Sequence, residues 1–256
     1  MTQIILLFAF GCLIGLTLGL LGGGGSILTV PILVYVFGVE VHSAIGTSLA
    51  IVGTTAIIGA ITHSRRGNVK FKSGLAFGVM AMIGAIPGAW LSHLVGGKTI
   101  LILFALLMIV VGLRMLLRET RSLSKESDSH NHPYVFRAML VLISIGFVVG
   151  VLTGFFGVGG GFLIVPGLVL VGNFPTHQAV GTSLLVIAMA SFSGFLGHLS
   201  LGNLNFLIIA YFVIGSIVGV ILGTTSSGHI SEKRLTQSFG VFIIIISLYL
   251  FYQNLF

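Results

Sequence analysis

The chain has 256 residues, 56% apolar and only 7% charged, with a mean hydropathy of +1.17, which excludes a soluble domain that must cover its surface with polar groups. Its formal charge of +7 would suit a nucleic-acid partner, but the twelve Lys and Arg residues lie mostly in short connections between apolar segments, where they report membrane topology instead. Cys12 is the one cysteine, so no intrachain disulfide forms.

The first apolar run, Ile4 to Leu21, is long enough to cross roughly 30 Å of hydrocarbon as a helix and reads as a retained span, not a cleaved signal. Further helices are predicted at about 26–38, 43–63, 72–95 and 99–117, separated by Gly-rich or polar breaks. Residues 119–133 form the one extended polar stretch, and a second series follows at about 137–156, 161–173, 178–198, 205–227 and 236–254. A transmembrane barrel would need alternating polar and apolar strands, whereas these segments are apolar on every face. Lipid is the expected partner.

Laid on itself at an offset of 135, the sequence aligns residues 11–71 with 146–206 without a gap, and 23 of those 61 positions are identical. The expected organisation is a membrane repeat at 1–118, a polar cytoplasmic linker at 119–135 and a second repeat at 136–256. Each repeat holds about five helical segments, in an all-α polytopic membrane protein. The second segment of each is only about 13 residues, roughly 20 Å. If it counts as a crossing, the repeats are inverted and eleven of the twelve basic residues fall on one side, with Lys98 alone opposite. If it re-enters, the repeats are parallel and the split is nine to three. The positive-inside rule favours inversion.

Gly11, Gly15 and Gly19, repeated as Gly146, Gly150 and Gly154, recur every four residues and suit close helix packing. The run Gly22–Ser26 and its counterpart Gly157–Gly161 each break the chain before a short helix, either as a tight turn or as an anion-binding helix N-terminus. Gly24, Gly25, Ser26, Gly159, Gly160 and Gly161 are therefore candidate site residues. Gly46-Thr47-Ser48 and Gly181-Thr182-Ser183 place hydroxyls just inside the third helix, to face a solute or to bond the preceding turn. The expectation is that Gly breaks and Thr-Ser pairs of both halves meet near the midplane and bind one anion together.

His42 and His177 precede the third helix of each repeat, and His63 and His198 end it, so inversion brings histidines of opposite halves to one membrane face. They are candidates for gating or proton-linked roles, or polar anchors at the interface. No metal-ligand spacing accompanies them, and neither a metal nor a cofactor is expected. None of the five acids, Glu40, Glu119, Glu126, Asp128 and Glu232, lies in the middle of a predicted span, which favours a neutral or anionic solute over a cation. No nucleophile and base pair occurs at matching depth, so an intramembrane enzyme is disfavoured.

The set Gly22-x-Gly24-Gly25-x-x-x-x-Val30-Pro31 plus His42-x-x-x-Gly46-Thr47-Ser48-Leu49, duplicated over the full chain, resembles the sulfite exporter TauE/SafE family of membrane permeases. The resemblance implies a bacterial cytoplasmic membrane, multi-pass, and transport of sulfur-containing anions such as sulfite or organosulfonates. By motif position it points to Gly24, Gly25, Gly46, Thr47, Ser48, Gly159, Gly160, Gly181, Thr182 and Ser183. Val158 in place of Gly23, and Gly161 in place of Ser26, distinguish the halves. The expected mechanism is a secondary carrier in which two related bundles rock about a shared site. The alternative is a passive anion channel. Self-association stays open.

Overall fold

The structure, a computed structural model, describes residues 2–117, 132–170, 174–199, 204, 206–226 and 232–255. Every described element is helical: α1 (Thr2–Leu21), α2 (Gly24–Val36), α3 (Val41–Ser64), α4 (Phe71–His93), α5 (Gly97–Leu117), α6 (His132–Phe156), α7 (Gly161–Leu170), α8 (Thr176–Leu199), α9 (Phe206–Ser226) and α10 (Glu232–Leu255). Among the described residues six helices are long and apolar enough to cross a membrane. The chain is thus an all-helical polytopic membrane protein, its outer surface carrying Ile5, Trp90, Phe206 and Leu207 exposed as lipid requires.

Most predicted boundaries hold within a few residues. The expected linker 119–135 is shorter at its end, since α6 already begins at His132, where Pro133 takes a first-turn position that needs no N–H donor. Residues 118–131 and the loop Gly202-Asn203 lie outside the described residues. The second segment starts two residues early, at Gly24, and ends at Val36; it winds from a 3₁₀ turn through α into a π turn.

α3 and α8 form the centre: 72% of the apolar window of each is buried, against 33% in α1 and α9. They pack antiparallel. Gly46 faces His198, Gly53 faces Ser191, Gly59 faces Leu184 and Gly181 faces His63, so the contacting numbers fall on one helix as they rise on the other. The outer pairs run parallel instead. Gly11, Gly15 and Gly19 of α1 lie against the backbone of Phe212, Ser216 and Val220 on α9, while Gly146, Gly150 and Gly154 of α6 lie against Phe77, Ala81 and Ala85 on α4. Glycine at these six positions lets backbones touch where any side chain would intrude.

The most extensive helix pairs therefore join one half of the sequence to the other: α1 with α9, α4 with α6 and α8, α3 with α8 and α9, and α5 with α10. Neither half is a bundle by itself. α1, α3 and α9 run together in one direction and α4, α6 and α8 in the other, and the α3–α8 seam joins the two groups.

Candidate functional site

The chain turns sharply where α1 and α6 end. Gly22, Gly157, Gly159 and Gly160 adopt positive φ of 72°, 73°, 67° and 68°, a backbone region that only glycine enters without strain. These turns lead α2 and α7 back along α1 and α6, and their starts meet: Gly23 is in backbone contact with Gly161. A methyl on Gly159 would lie 2.7 Å from Val52 and 3.0 Å from Ile187, and Gly161 packs on the Ile187 side chain, so the meeting point lies halfway along α3 and α8. The first N–H groups of both short helices, which have no acceptor within their own helix, gather there.

Among the described residues three buried hydroxyls have no hydrogen-bond partner: those of Thr29, Thr47 and Ser191. Ser191 stands beside the Gly breaks, its Oγ 3.4 Å from a methyl built on Gly159. A fully buried donor without a partner is costly and uncommon. Ser191 carries no signal of duplication in the sequence, because its counterpart at the repeat offset is Ala56.

The other sequence-chosen hydroxyls are placed elsewhere. Ser48 donates to the carbonyl of Gly157 at 2.6 Å, and Ser183 to that of Gly22 at 2.5 Å and of Val180 at 2.7 Å. Thr182 accepts from the Lys70 N–H at 3.0 Å. Gly181 seats the backbone of Asn68, and Gly46 seats Leu204 and His198. Each Gly-Thr-Ser segment thus receives the loop after the partner helix with its glycine and holds the partner half's Gly turn with its serine. By the α3–α8 register the two segments are about 20 Å apart along the helix axis and do not meet. Ser26 donates to Gly23 at 2.8 Å, and Gly25 and Gly160 pack back on Thr17 and Thr153. Of the residues expected at one midplane site, the structure brings Gly159 and Gly161 to the meeting point, where Gly23 faces Gly161, and leaves Gly46, Thr47, Ser48, Gly181, Thr182 and Ser183 toward the two ends.

The histidines occupy both ends. His63 reaches the Gly19 carbonyl at 3.2 Å, close to Arg66 and His177. At the other end His42 lies 2.9 Å from Glu40, its ring stacked on His93 with centroids 5.2 Å apart; His93 lies 5.2 Å from His198. His93 was missed in the sequence because the second repeat has Gly228 at that position. Burial pushes the Glu40 carboxyl up, but the Ser43 N–H and the hydrogen bond from His42 outweigh it, and its pKa falls to about 2.

The profile of the family described as sulfite exporter TauE/SafE matches residues 7–250. A probable membrane transporter protein of Xylella fastidiosa strain Temecula1 is 37% identical over 98% of this chain and 96% of its own. The probable membrane transporter protein YunE of Bacillus subtilis is 30% identical over 98% of both chains. A probable membrane transporter protein of Methanocaldococcus jannaschii is 27% identical over 90% of this chain and 88% of its own. No solved structure matches.

Proposed function

The chain belongs to the sulfite exporter TauE/SafE family of membrane transporters, and from that premise we propose that it is a secondary carrier of a small anion, bound halfway through the bundle where the two Gly breaks meet. It is a transporter and not an enzyme. The observation that carries the proposed site is the juxtaposition of Gly23 and Gly161 with the unpartnered Ser191 hydroxyl at mid-depth. An anion stripped of water needs several oriented donors, and helix N-termini with a hydroxyl supply them without a buried Lys or Arg. Sulfite or an organosulfonate fits this chemistry, and the family description favours a sulfur-containing ion.

The two repeats are related by inversion on this reading, supported by the antiparallel packing of the counterpart helices α3 and α8. The moving bodies are then not the sequence halves. They are the interleaved groups, α1 to α3 with α9 and α6 to α8 with α4, sliding on the α3–α8 seam to expose the site to each side in turn. The backbone contact of Gly23 with Gly161 makes the present arrangement a closed one. The membrane is the bacterial cytoplasmic membrane, with Arg65, Arg66, Lys70, Lys72 and Arg114 at its inner face.

Binding of sulfite, thiosulfate, ethanesulfonate and acetate to purified protein, by calorimetry or thermal shift, tests the site. Ser191→Ala is expected to weaken the bound anion by about five- to a hundredfold, the effect of one donor to a charged group. Unchanged affinity in folded Ser191→Ala would remove this site, and uptake without counterflow in proteoliposomes would remove the carrier.

A further inference from the structure

We propose that Glu40, His42, His93 and His198 form a proton-binding latch that holds the two interleaved bodies together at one end and releases them as it takes up protons. The proposal deepens the carrier reading: it names the proton as the ion that would tie opening of this end to a gradient.

The hydrogen bonds themselves count protons. His42 Nε2 lies 3.1 Å from the Ser92 carbonyl and 3.2 Å from that of Val95, which only accept, so Nε2 carries a proton. Nδ1 faces the Glu40 carboxylate at 2.9 Å, and that contact holds a second proton. With Glu40 also accepting from the Ser43 N–H at 3.0 Å, the pair is a carboxylate and an imidazolium. His42 belongs to α3, whereas both carbonyls belong to the end of α4 and the turn after it, so this imidazolium ties one body to the other.

His198 has two arrangements with identical heavy atoms. Its Nδ1 donates to the Gly194 carbonyl at 3.0 Å, leaving Nε2 at 3.2 Å from the Ser92 hydroxyl. Neutral His198 accepts from Ser92. Protonated His198 donates to it, and Ser92 turns its own proton to the Ala89 carbonyl at 2.7 Å. His93 lies between the two rings, 5.2 Å from each, with a buried Nε2 that has no partner.

A proton that enters at the exposed Glu40 and reaches His198 puts cations on both sides of His93. One more, on His93, leaves three imidazoliums against a single carboxylate, across the seam between α3 on one side and α4 and α8 on the other. Like charges so placed repel. Lys98, exposed in the first turn of α5 at the same end, adds no negative charge, and Val151–Phe156 of α6 and Phe206–Ala210 of α9 contain no titratable side chain. Pro175 and Gly228 stand at the positions corresponding to Glu40 and His93, so the second repeat does not carry the same residues there.

The test uses full-length protein in proteoliposomes without any solute, so it fails or succeeds independently of the anion site. In a Cys12→Ala background, Ile45→Cys places a thiol at a buried position against Gly157 of the other body, and its maleimide labelling rate is divided by that of Gly96→Cys, exposed at the same end, to remove the pH dependence of the thiol itself. The ratio should rise about tenfold as the pH is lowered from 8 to 4, within the range of allosteric couplings. His93→Gln and His198→Gln should flatten the rise. Glu40→Gln, at an exposed carboxylate and least able to disturb folding, should move it to lower pH. A flat ratio in the parent protein, or an unaltered pH profile in folded His93→Gln and Glu40→Gln, overturns the proposal.

Discussion

Ser48 donates its hydroxyl to the Gly157 carbonyl, 109 positions away, at 2.6 Å, and Ser183 returns the bond to Gly22 at 2.5 Å. Each glycine is the first residue past a helix end, where a carbonyl has lost its helical partner. Truncating either serine leaves that buried oxygen unpaired. Ser48→Ala and Ser183→Ala should each destabilise the protein by about 1–3 kcal/mol, and because the two bonds are far apart the double variant should be additive within about 0.5 kcal/mol. Unfolding midpoints in detergent measure this. No loss in either variant would mean that the bonds are incidental.

The two threonines of the same motif should behave differently. Thr182 accepts the Lys70 N–H, so Thr182→Val leaves a donor unpaired and should cost about 1 kcal/mol. Thr47 Oγ1 is buried and has no partner, so Thr47→Val removes a polar atom at nearly constant volume and should be neutral or stabilising. Equal effects of the two substitutions would contradict the placement of the hydroxyls.

The glycines on the α1–α9 seam press on backbone, whereas Gly38, Gly67 and Gly96 face open space. Alanine at Gly15 would strike Ser216 of α9, and alanine at Gly219 would strike Cys12 of α1, forcing apart helices held only by close approach; each should cost about 1–3 kcal/mol or more. Gly96 faces open space, and Gly96→Ala should be neutral or slightly stabilising by narrowing the unfolded ensemble. Thermal stability of the three variants, ranked, checks the helix pairing.

Helix positions were legible because hydropathy and Gly breaks act locally, and the predicted ends of α1, α3 and α8 fall within two residues of the observed ones. The meeting of the two Gly breaks could be anticipated from their duplication. Pairing across the halves could not, since a Gly-x-x-x-Gly stripe states that a helix packs closely but not against which partner. The Thr-Ser hydroxyls were misplaced for a related reason: in sequence a hydroxyl next to a Gly turn's helix looks free for solute, and only the fold reveals that Ser48 is already bonded to the other half's turn. His93 and Ser191 carry no signal of repetition, because Gly228 and Ala56 stand at their counterpart positions.

The last expectation concerns sidedness. α3 rises toward Arg65, and the parallel register of α1, α3 and α9 brings the end of α1 to the same level, where Arg66 donates to the Thr224 carbonyl of α9 at 2.6 Å. α4 returns to the opposite end, near Lys98, and α5 rises again to Arg114. Gly112 of α5 lies against Gly240 and Ile244 of α10, so α10 descends, and residues near 255 and near 2 share the end that carries Glu40 and Lys98. The positive-inside rule puts the Arg65–Lys72 loop in the cytoplasm and both chain ends outside. In the Cys12→Ala background, Ser64→Cys should be protected from a membrane-impermeant maleimide added to intact cells and Gly96→Cys should react, while a reporter fused after residue 256 should be active only when exported. Labelling of Ser64→Cys from outside would reverse the assignment. A cytoplasmic C-terminal reporter together with a protected Ser64→Cys would require α10 to end on the same side as the Arg65 loop, which the descending α10 forbids, and would overturn the helix directions themselves.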